Sequence, residues 1–154
     1  MDEIERKFLL NAVPPLVEGR PWSRIDQGYI AIADDVEVRI RARDDEHLLT
    51  AKGGQGLVRR EVTVPLSAEQ FEELWPLTAG RRVRKRRWVI AHDDVELEID
   101  VFDDDLEGLV VVEVEFASTE VGRGFTPPEW FGPEVTDDPR YRNAALAVDG
   151  VPPR

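Results

Sequence analysis

The sequence contains no cysteine among its 154 residues. Disulfide frameworks, zinc sites built from thiolates and thiol catalysis are therefore excluded, and a metal ion would have to be held by oxygen atoms or by the two histidines. The chain also lacks a run of about 18 apolar residues, and its start, MDEIERKFLL, is too highly charged for the core of a signal peptide. We therefore expect a soluble, cytoplasmic protein.

Positive charge is scarce as well, because 20 Lys and Arg residues accompany 32 Asp and Glu residues, for a formal net charge of −12. Such a surface repels nucleic acid, whose binding depends on neutralising phosphates, so we expect no nucleic-acid partner and no membrane partner. The segment RRVRKRR at residues 81–87 is a local exception. The length fits a single domain over residues 1–154, and no internal repeat or linker argues for a second one.

Alternation of apolar and charged residues, which is typical of a strand with two different faces, occurs repeatedly along the chain. It predicts eight strands, over residues 2–10, 24–33, 36–43, 47–53, 57–65, 82–90, 94–102 and 108–117. Short turns rich in Asp and Gly join most of them, as antiparallel hairpins require. A helix is predicted after Ser67, where Gln70 can complete a capping box, and a final helix over residues 140–148. This set of elements suggests a closed barrel or a sandwich.

Charged side chains share one face of these predicted strands, because successive side chains point to opposite sides. The cations of this face are Lys7, Arg39, Arg41, Lys52, Arg59, Lys85 and Arg87. Its carboxylates are Glu3, Glu5, Glu61, Glu98, Asp100, Glu113 and Glu115. Alternation alone does not decide whether this face is the wet exterior of an ordinary sheet or the lining of a barrel. As a lining it would have to stay wet or hold charged ligands, since dehydrating one ion costs on the order of 20 kcal/mol before relaxation.

The first residues, Glu3-Ile4-Glu5-Arg6-Lys7, match the ExExK signature of the CYTH family of triphosphate tunnel metalloenzymes. Further pieces typical of the family follow in order: Arg39 with Arg41, Thr50-Ala51-Lys52, Arg59-x-Glu61, Lys85-x-Arg87, Glu98-x-Asp100 and Glu113-x-Glu115. The C-terminal stretch from Glu134 to Asn143 also resembles small bacterial members that consist of this domain alone. The resemblance covers essentially the whole chain.

The resemblance implies an eight-stranded antiparallel closed barrel with a charged interior and two or three peripheral helices. It assigns phosphate binding to the basic residues Lys7, Arg39, Arg41, Lys52, Arg59, Lys85 and Arg87. It assigns Mg²⁺ or Mn²⁺ to Glu3, Glu5, Glu113 and Glu115, with Glu61 and Asp100 completing or supporting that set. Glu3, Glu5 and Lys7 are the residues expected to be catalytic.

The function implied by this resemblance is metal-dependent hydrolysis of inorganic triphosphate, with nucleoside triphosphates as further substrates. An adenylate cyclase, a thiamine triphosphatase and a polyphosphate-binding module without turnover are the alternatives. No purine site is recognisable, and a pure anion binder gains nothing from so many carboxylates unless metal is part of the complex. Tyr29 is expected to pack rather than to act on substrate, and the last helix to plug a tunnel mouth or to pack in the core. A homodimer would cover exposed apolar strand faces, as the helices could.

Overall fold

A computed structural model describes residues 4–54 and 60–153 of the chain. Eight antiparallel strands form one sheet: β1 Ile4–Leu10, β2 Ser23–Ile32, β3 Val36–Arg43, β4 Glu46–Gly53, β5 Arg60–Pro65, β6 Arg82–His92, β7 Val95–Phe102 and β8 Val110–Phe116. Their order across the sheet is β1-β8-β7-β6-β2-β3-β4-β5. All eight predicted strands are confirmed, and the ends that lie within the described residues differ from the prediction by the few residues that are usual for such boundaries. The predicted strand residues 2–3 and 57–59 lie outside the described part of the chain.

Aspartates form the tight turns between neighbouring strands. Asp44 and Asp93 each have a φ of +53°, at the tips of the β3–β4 and β6–β7 hairpins. Asp is one of the few residues other than glycine that tolerate this left-handed conformation. These turns fix the register of the strands, and a slip of one residue would send every charged side chain to the opposite face.

Three short helices accompany the sheet: α1 Ala68–Leu74, α2 Thr119–Gly124 and α3 Asn143–Asp149. The predicted capping box of α1 is confirmed, since Ser67 and Gln70 exchange hydrogen bonds of 2.9 and 3.1 Å. The final helix begins at Asn143 rather than at residue 140, because Pro139–Tyr141 first forms a 3-10 turn. None of the helices formed by the described residues has the length and apolar character that a membrane crossing requires.

The two faces of the sheet are buried in different ways. On the outward face, apolar side chains of β1, β6, β7 and β8 form one cluster, and Leu16, Phe125 and Phe131 from the connecting segments pack against it. On the inward face a second apolar cluster fills one end of the curled sheet, and α3 contributes Leu146 to it. The remaining part of the inward face carries the charged residues. The expectation of a charged interior is therefore confirmed, although one end of that interior is apolar.

The sheet is not closed, which corrects the expected closed barrel. Among the described residues β1 and β5 are the two edges, and no ladder joins them. The free edge of β1 is taken by residues 132–136 instead. Leu9 donates to the Pro133 carbonyl at 2.9 Å and accepts from Gly132 at 2.7 Å, while the Lys7 carbonyl accepts from Val135 at 2.8 Å. Because these backbone groups of β1 already have partners, β5 cannot pair with them.

We predict that Gly132→Ala weakens the pairing of residues 132–136 with β1. A Cβ at Gly132 would lie 2.5 Å from the carbonyl oxygen of Leu9, so the 132–136 segment would have to move away from β1. The expected loss is about 1–3 kcal/mol of unfolding free energy, a typical cost of overpacking, measured by urea or thermal unfolding. Gly124→Ala is the matched control, because nothing lies within 4 Å of the Cβ added there. Equal stability of the two variants would contradict the prediction.

Candidate functional site

The inward face of the sheet borders a cavity of about 910 Å³, a size that is usual for ligand sites. Side chains from all eight strands reach it. The predicted site residues that line it are Glu5, Lys7, Arg39, Arg41, Lys52, Glu61, Arg87, Glu113 and Glu115, and Glu98 from the same predicted charged face lines it as well. Two further predicted residues, Glu3 and Arg59, lie outside the described part of the chain. Charged residues that are far apart in the sequence therefore meet at one place.

Two other predicted site residues, Lys85 and Asp100, lie beneath the cavity rather than in its lining. The Lys85 Nζ is 2.8 Å from the Asp100 carboxylate, and the two side chains are 1% and 5% exposed. Arg87 donates two hydrogen bonds to the same carboxylate, of 2.7 and 2.9 Å. The Nη1 atom of Arg87 lies 2.6 Å from Glu98. Asp100 thus holds Arg87 in place at the floor of the cavity.

The pKa shifts in this cluster follow from burial and from charge pairing. Burial lowers the pKa of Lys85 to about 8, although the Asp100 carboxylate acts in the opposite direction. For Asp100 burial alone would raise the pKa, but the charge of Lys85 and the hydrogen bonds from Arg87 outweigh it, and its pKa is well below the usual value. Burial likewise opposes the charge on Arg87, yet its bonds to Asp100 raise its pKa. Asp100 and Arg87 therefore remain ionised at neutral pH.

A second buried network connects β3 with β2. Arg41 donates its Nε–H to the Oε1 atom of Gln27 at 2.6 Å, and the Gln27 Nε2 donates to the hydroxyl oxygen of Tyr29 at 2.8 Å. Burial and the charges of Arg39 and Arg87 lower the pKa of Arg41 to about 10. Tyr29 also borders the cavity, so the prediction that it only packs is incomplete. The sequence offered one indication that Tyr29 reaches the cavity, because Tyr29 lies on the same strand face as Gln27.

The carboxylates of the site occupy neighbouring positions on three adjacent strands. Glu5 on β1 is opposite Glu115 on β8, and Glu113 on β8 is opposite Glu98 on β7. Lys7 on β1 is opposite Glu113, with its Nζ 3.2 Å from Glu113 and 3.2 Å from the carbonyl oxygen of Tyr141. Like charges directly opposite each other destabilise a sheet, so a cation between such carboxylates would stabilise this arrangement.

The chemistry of these donors fits a hard divalent cation. Within residues 4–54 and 60–153, no three Asp, Glu or His side chains are grouped as a complete metal site. Mg²⁺ does not need one, because it commonly binds through one or two carboxylates together with waters and substrate phosphates. Glu5 and Glu115 supply oxygen donors of that kind. Neither of the two histidines is in the cavity lining, so no softer ligand competes there.

Several polar residues outside the predicted set also border the cavity: Asp34, Glu37, Arg142 and Asn143. Glu37 has the same parity as Arg39 on β3, so alternation could have found it. Arg142 and Asn143 come from the start of α3, where no strand periodicity exists. The Asn143 Oδ1 accepts a hydrogen bond of 3.4 Å from Lys85, and this contact connects α3 to the buried ion cluster.

Comparison with known proteins finds similarity over most of the chain. A model of the CYTH domain matches residues 1–123. A protein from Nitrosomonas europaea named inorganic triphosphatase is 44% identical over 151 residues, which are 96% of this chain and 98% of the relative. A protein of the same name from Acetivibrio thermocellus is 34% identical over 148 residues, which are 94% of this chain and 92% of the relative.

A solved structure supports the same relationship. A crystal structure described as that of an inorganic triphosphatase has a TM-score of 0.80 and 42% sequence identity to this chain. The match covers 96% of this chain and 95% of that one. The similarity therefore includes the C-terminal residues that follow the part matched by the domain model.

We predict that Asp100→Asn is strongly destabilising, because it removes the carboxylate paired with the buried Lys85 and one of the two carboxylates that bind Arg87. Removing one partner of a buried ion pair typically costs about 3–5 kcal/mol, measurable by chemical unfolding at pH 7. Asp103→Asn is the matched control, since Asp103 pairs with Arg86 at 3.4 Å and both side chains are about one-third exposed. Its expected cost is at most about 1 kcal/mol.

The pH dependence of unfolding provides a second measurement of the same prediction. The pKa of Asp100 in the folded protein is below its ordinary value, so its stabilising contribution is present above about pH 4 and is lost as the pH falls further. The difference in stability between the unmodified protein and Asp100→Asn should therefore narrow in acid. If Asp100→Asn lowered the unfolding free energy at pH 7 as little as Asp103→Asn does, the prediction would be contradicted.

Proposed function

This chain belongs to the CYTH family, and from that membership we propose that it hydrolyses inorganic triphosphate to pyrophosphate and orthophosphate with a divalent cation, Mg²⁺ or Mn²⁺. The observation that carries the proposal is the convergence of cations and carboxylates from seven of the eight described strands on one cavity. Two relatives named inorganic triphosphatase, each matching more than nine-tenths of the chain, support it. A phosphate chain with its metal ions needs both kinds of charge in one place.

The basic residues of the lining would bind the phosphate chain. The cavity lining contains Arg39 and Arg41 from β3, together with Arg87 from β6, Lys7 from β1 and Lys52 from β4. Planar guanidinium groups can donate two parallel hydrogen bonds to phosphate oxygens, whereas lysine contributes a compact point charge.

The remaining predicted cations have different parts in this proposal. Arg59 would join the phosphate-binding set from the sequence pattern alone. Lys85 would act through its ion pair with Asp100 beneath the floor. Both Lys85 and Asp100 are thus positioning residues in the proposed enzyme, since their contacts orient Arg87.

The carboxylates of β1 and β8 would hold the metal. We assign this role to Glu5, Glu113 and Glu115, together with Glu3 from the sequence pattern alone and with Glu61 as a supporting group. A divalent cation held by these carboxylates would supply Lewis-acid stabilisation of charge on the reacting phosphoryl group. The carboxylates would keep it at the end of the cavity where Lys7 also lies.

Hydrolysis at this site would be a displacement at the terminal phosphorus. A water oxygen forms a bond to phosphorus, the bridging P–O bond breaks, and the electron pair leaves with pyrophosphate. The water proton passes to a carboxylate of the site and then to solvent. The fixed cations of the chain stabilise charge on the equatorial oxygens, so most of the catalysis would come from positioning and electrostatics.

We predict release of orthophosphate and pyrophosphate in equal amounts when the purified chain is given triphosphate with Mg²⁺ or Mn²⁺, and no release with chelator. Parallel assays use ATP, thiamine triphosphate and pyrophosphate. Formation of cyclic AMP from ATP would identify a cyclase, and preferred turnover of thiamine triphosphate would change the substrate. Binding of triphosphate in calorimetry without any turnover would identify a binding module. Each of these three results would contradict the proposal.

We also predict that Glu5→Gln and Arg39→Ala impair activity in different ways. Glu5→Gln should raise the metal concentration needed for half-maximal rate by roughly 10–100-fold, a typical loss for a disturbed metal site. Arg39→Ala should raise KM for triphosphate by roughly tenfold or more, since a hydrogen bond to a charged group contributes about 1.5–3 kcal/mol. Steady-state kinetics with metal and substrate varied separately distinguish the two.

The exposed residues Glu72 and Arg20 supply matched controls for this experiment. Glu72→Gln and Arg20→Ala make the same chemical changes away from the cavity, and both should leave the kinetic constants unchanged. If Glu5→Gln and Arg39→Ala behaved like these controls, the two side chains would not act in the site.

A further inference from the structure

We propose that Gln27 is a positioning residue that orients Arg41 and Tyr29, so that the Tyr29 hydroxyl enters the cavity as a hydrogen-bond donor to phosphate. The inference rests on the proposed function, because a phosphoryl oxygen is the acceptor that this donor would meet. It concerns a residue that lies behind the cavity lining, since Gln27 is 0% exposed. Its contacts show how it would act.

The hydrogen-bond directions in this network follow from the chemistry of the groups. A guanidinium has donors only, so the Gln27 atom that lies 2.6 Å from the Arg41 Nε must be the amide oxygen. The amide nitrogen then faces the Tyr29 hydroxyl oxygen at 2.8 Å and donates to it. Because that oxygen accepts from Gln27, the Tyr29 proton must point elsewhere.

The cavity is where this proton can find an acceptor. The Tyr29 side chain borders the cavity although it is only 1% exposed. Burial and the nearby Glu37 carboxylate raise its pKa, so the phenol keeps its proton at neutral pH. On the neighbouring strand Arg39 lies opposite Tyr29, and Arg41 lies opposite Gln27. Tyr29 thus lies beside two guanidinium groups, and these three side chains can donate together to a ligand that offers only acceptor oxygens.

Gln27 has the same directing effect on Arg41. Its amide oxygen occupies the Nε–H of that guanidinium, so the two terminal nitrogens are left to form a fork toward a phosphate. Packing alone does not require an amide here. The residue opposite Gln27 on β6 is Val83, which belongs to the apolar interior cluster. An apolar side chain of similar size would fill the same space, whereas only a group with both donor and acceptor can satisfy Arg41 and Tyr29 together.

The substitution Gln27→Glu tests the proposal, because a carboxylate can only accept hydrogen bonds. It would keep the bond from Arg41 but would also accept the Tyr29 O–H, which withdraws the proton from the cavity. In the protein with Gln27 intact, Tyr29→Phe removes the proposed donor and should lower kcat/KM for triphosphate about 10–100-fold. In the Gln27→Glu background the same change should cost less than about twofold, near the limit of additivity. Equal losses in both backgrounds would overturn the proposal.

Raman spectra provide a measurement that does not depend on turnover. The chain has two tyrosines, so subtracting the spectrum of each matching Tyr29→Phe protein isolates Tyr29. The intensity ratio of the tyrosine Fermi doublet falls when a phenol changes from acceptor to strong donor, and it should fall on Gln27→Glu. An unchanged ratio would overturn the proposal. A fall in this ratio in a protein that does not hydrolyse triphosphate would refute the proposed function and leave the orientation by Gln27 in place.

Gln70→Glu is the matched control, since it makes the same change at an exposed position of α1 and retains a residue suited to the capping box. It should alter neither the kinetics nor the Raman ratio. If Gln27→Glu does not fold, Tyr29→Phe alone decides the question, because an unchanged kcat/KM for that variant would show that the hydroxyl does not contact substrate.

Discussion

The site depends on one constraint: charged side chains that are buried must lie in groups whose charges neutralise one another. Removing an ion from water costs several kcal/mol even after relaxation, and the chain meets that cost at the cavity floor with Lys85, Arg87 and Asp100 in direct contact. The cluster is continued by Glu98, which binds Arg87, and by Asn143, which accepts from Lys85. Arg87 is consequently held by carboxylates on two sides before any ligand arrives. A fixed cation of this kind contributes more to binding than a mobile one, because little side-chain entropy remains to be lost.

The same constraint explains why the cavity combines both signs of charge. A lining made only of cations would repel itself in the empty protein, and a lining made only of carboxylates would repel a phosphate chain. The chain as a whole is strongly acidic, with a net charge of −12, so its long-range field opposes a free polyanion. A phosphate chain that carries divalent cations is closer to neutral and avoids much of this repulsion. The acidic composition and the proposed metal requirement are therefore consistent with each other.

Alternation along the strands was sufficient to identify most of the lining, since parity decides which face a side chain occupies. Alternation does not report depth. This is why buried Lys85 could not be distinguished from Arg87 on β6, nor buried Asp100 from Glu98 on β7. The sequence pattern also could not predict that the sheet stays open. The segment 132–136 that covers β1 is rich in proline and glycine and does not alternate. Tyr29 was hidden for another reason: an aromatic on a strand looks like packing until its hydroxyl is seen to have a partner.

The C-terminal residues complete the site although they follow the part of the chain that matches the CYTH domain model, residues 1–123. Residues 132–136 occupy the edge of β1, the strand that carries Glu5 and Lys7. The 3-10 turn that follows offers the carbonyl oxygen of Tyr141 to the Lys7 Nζ, and α3 inserts Leu146 into the inner apolar cluster. This region thus blocks one end of the interior and fixes the strand that bears the first acidic residues. The eight strands supply the charges, but their arrangement around one cavity depends on this last fifth of the chain.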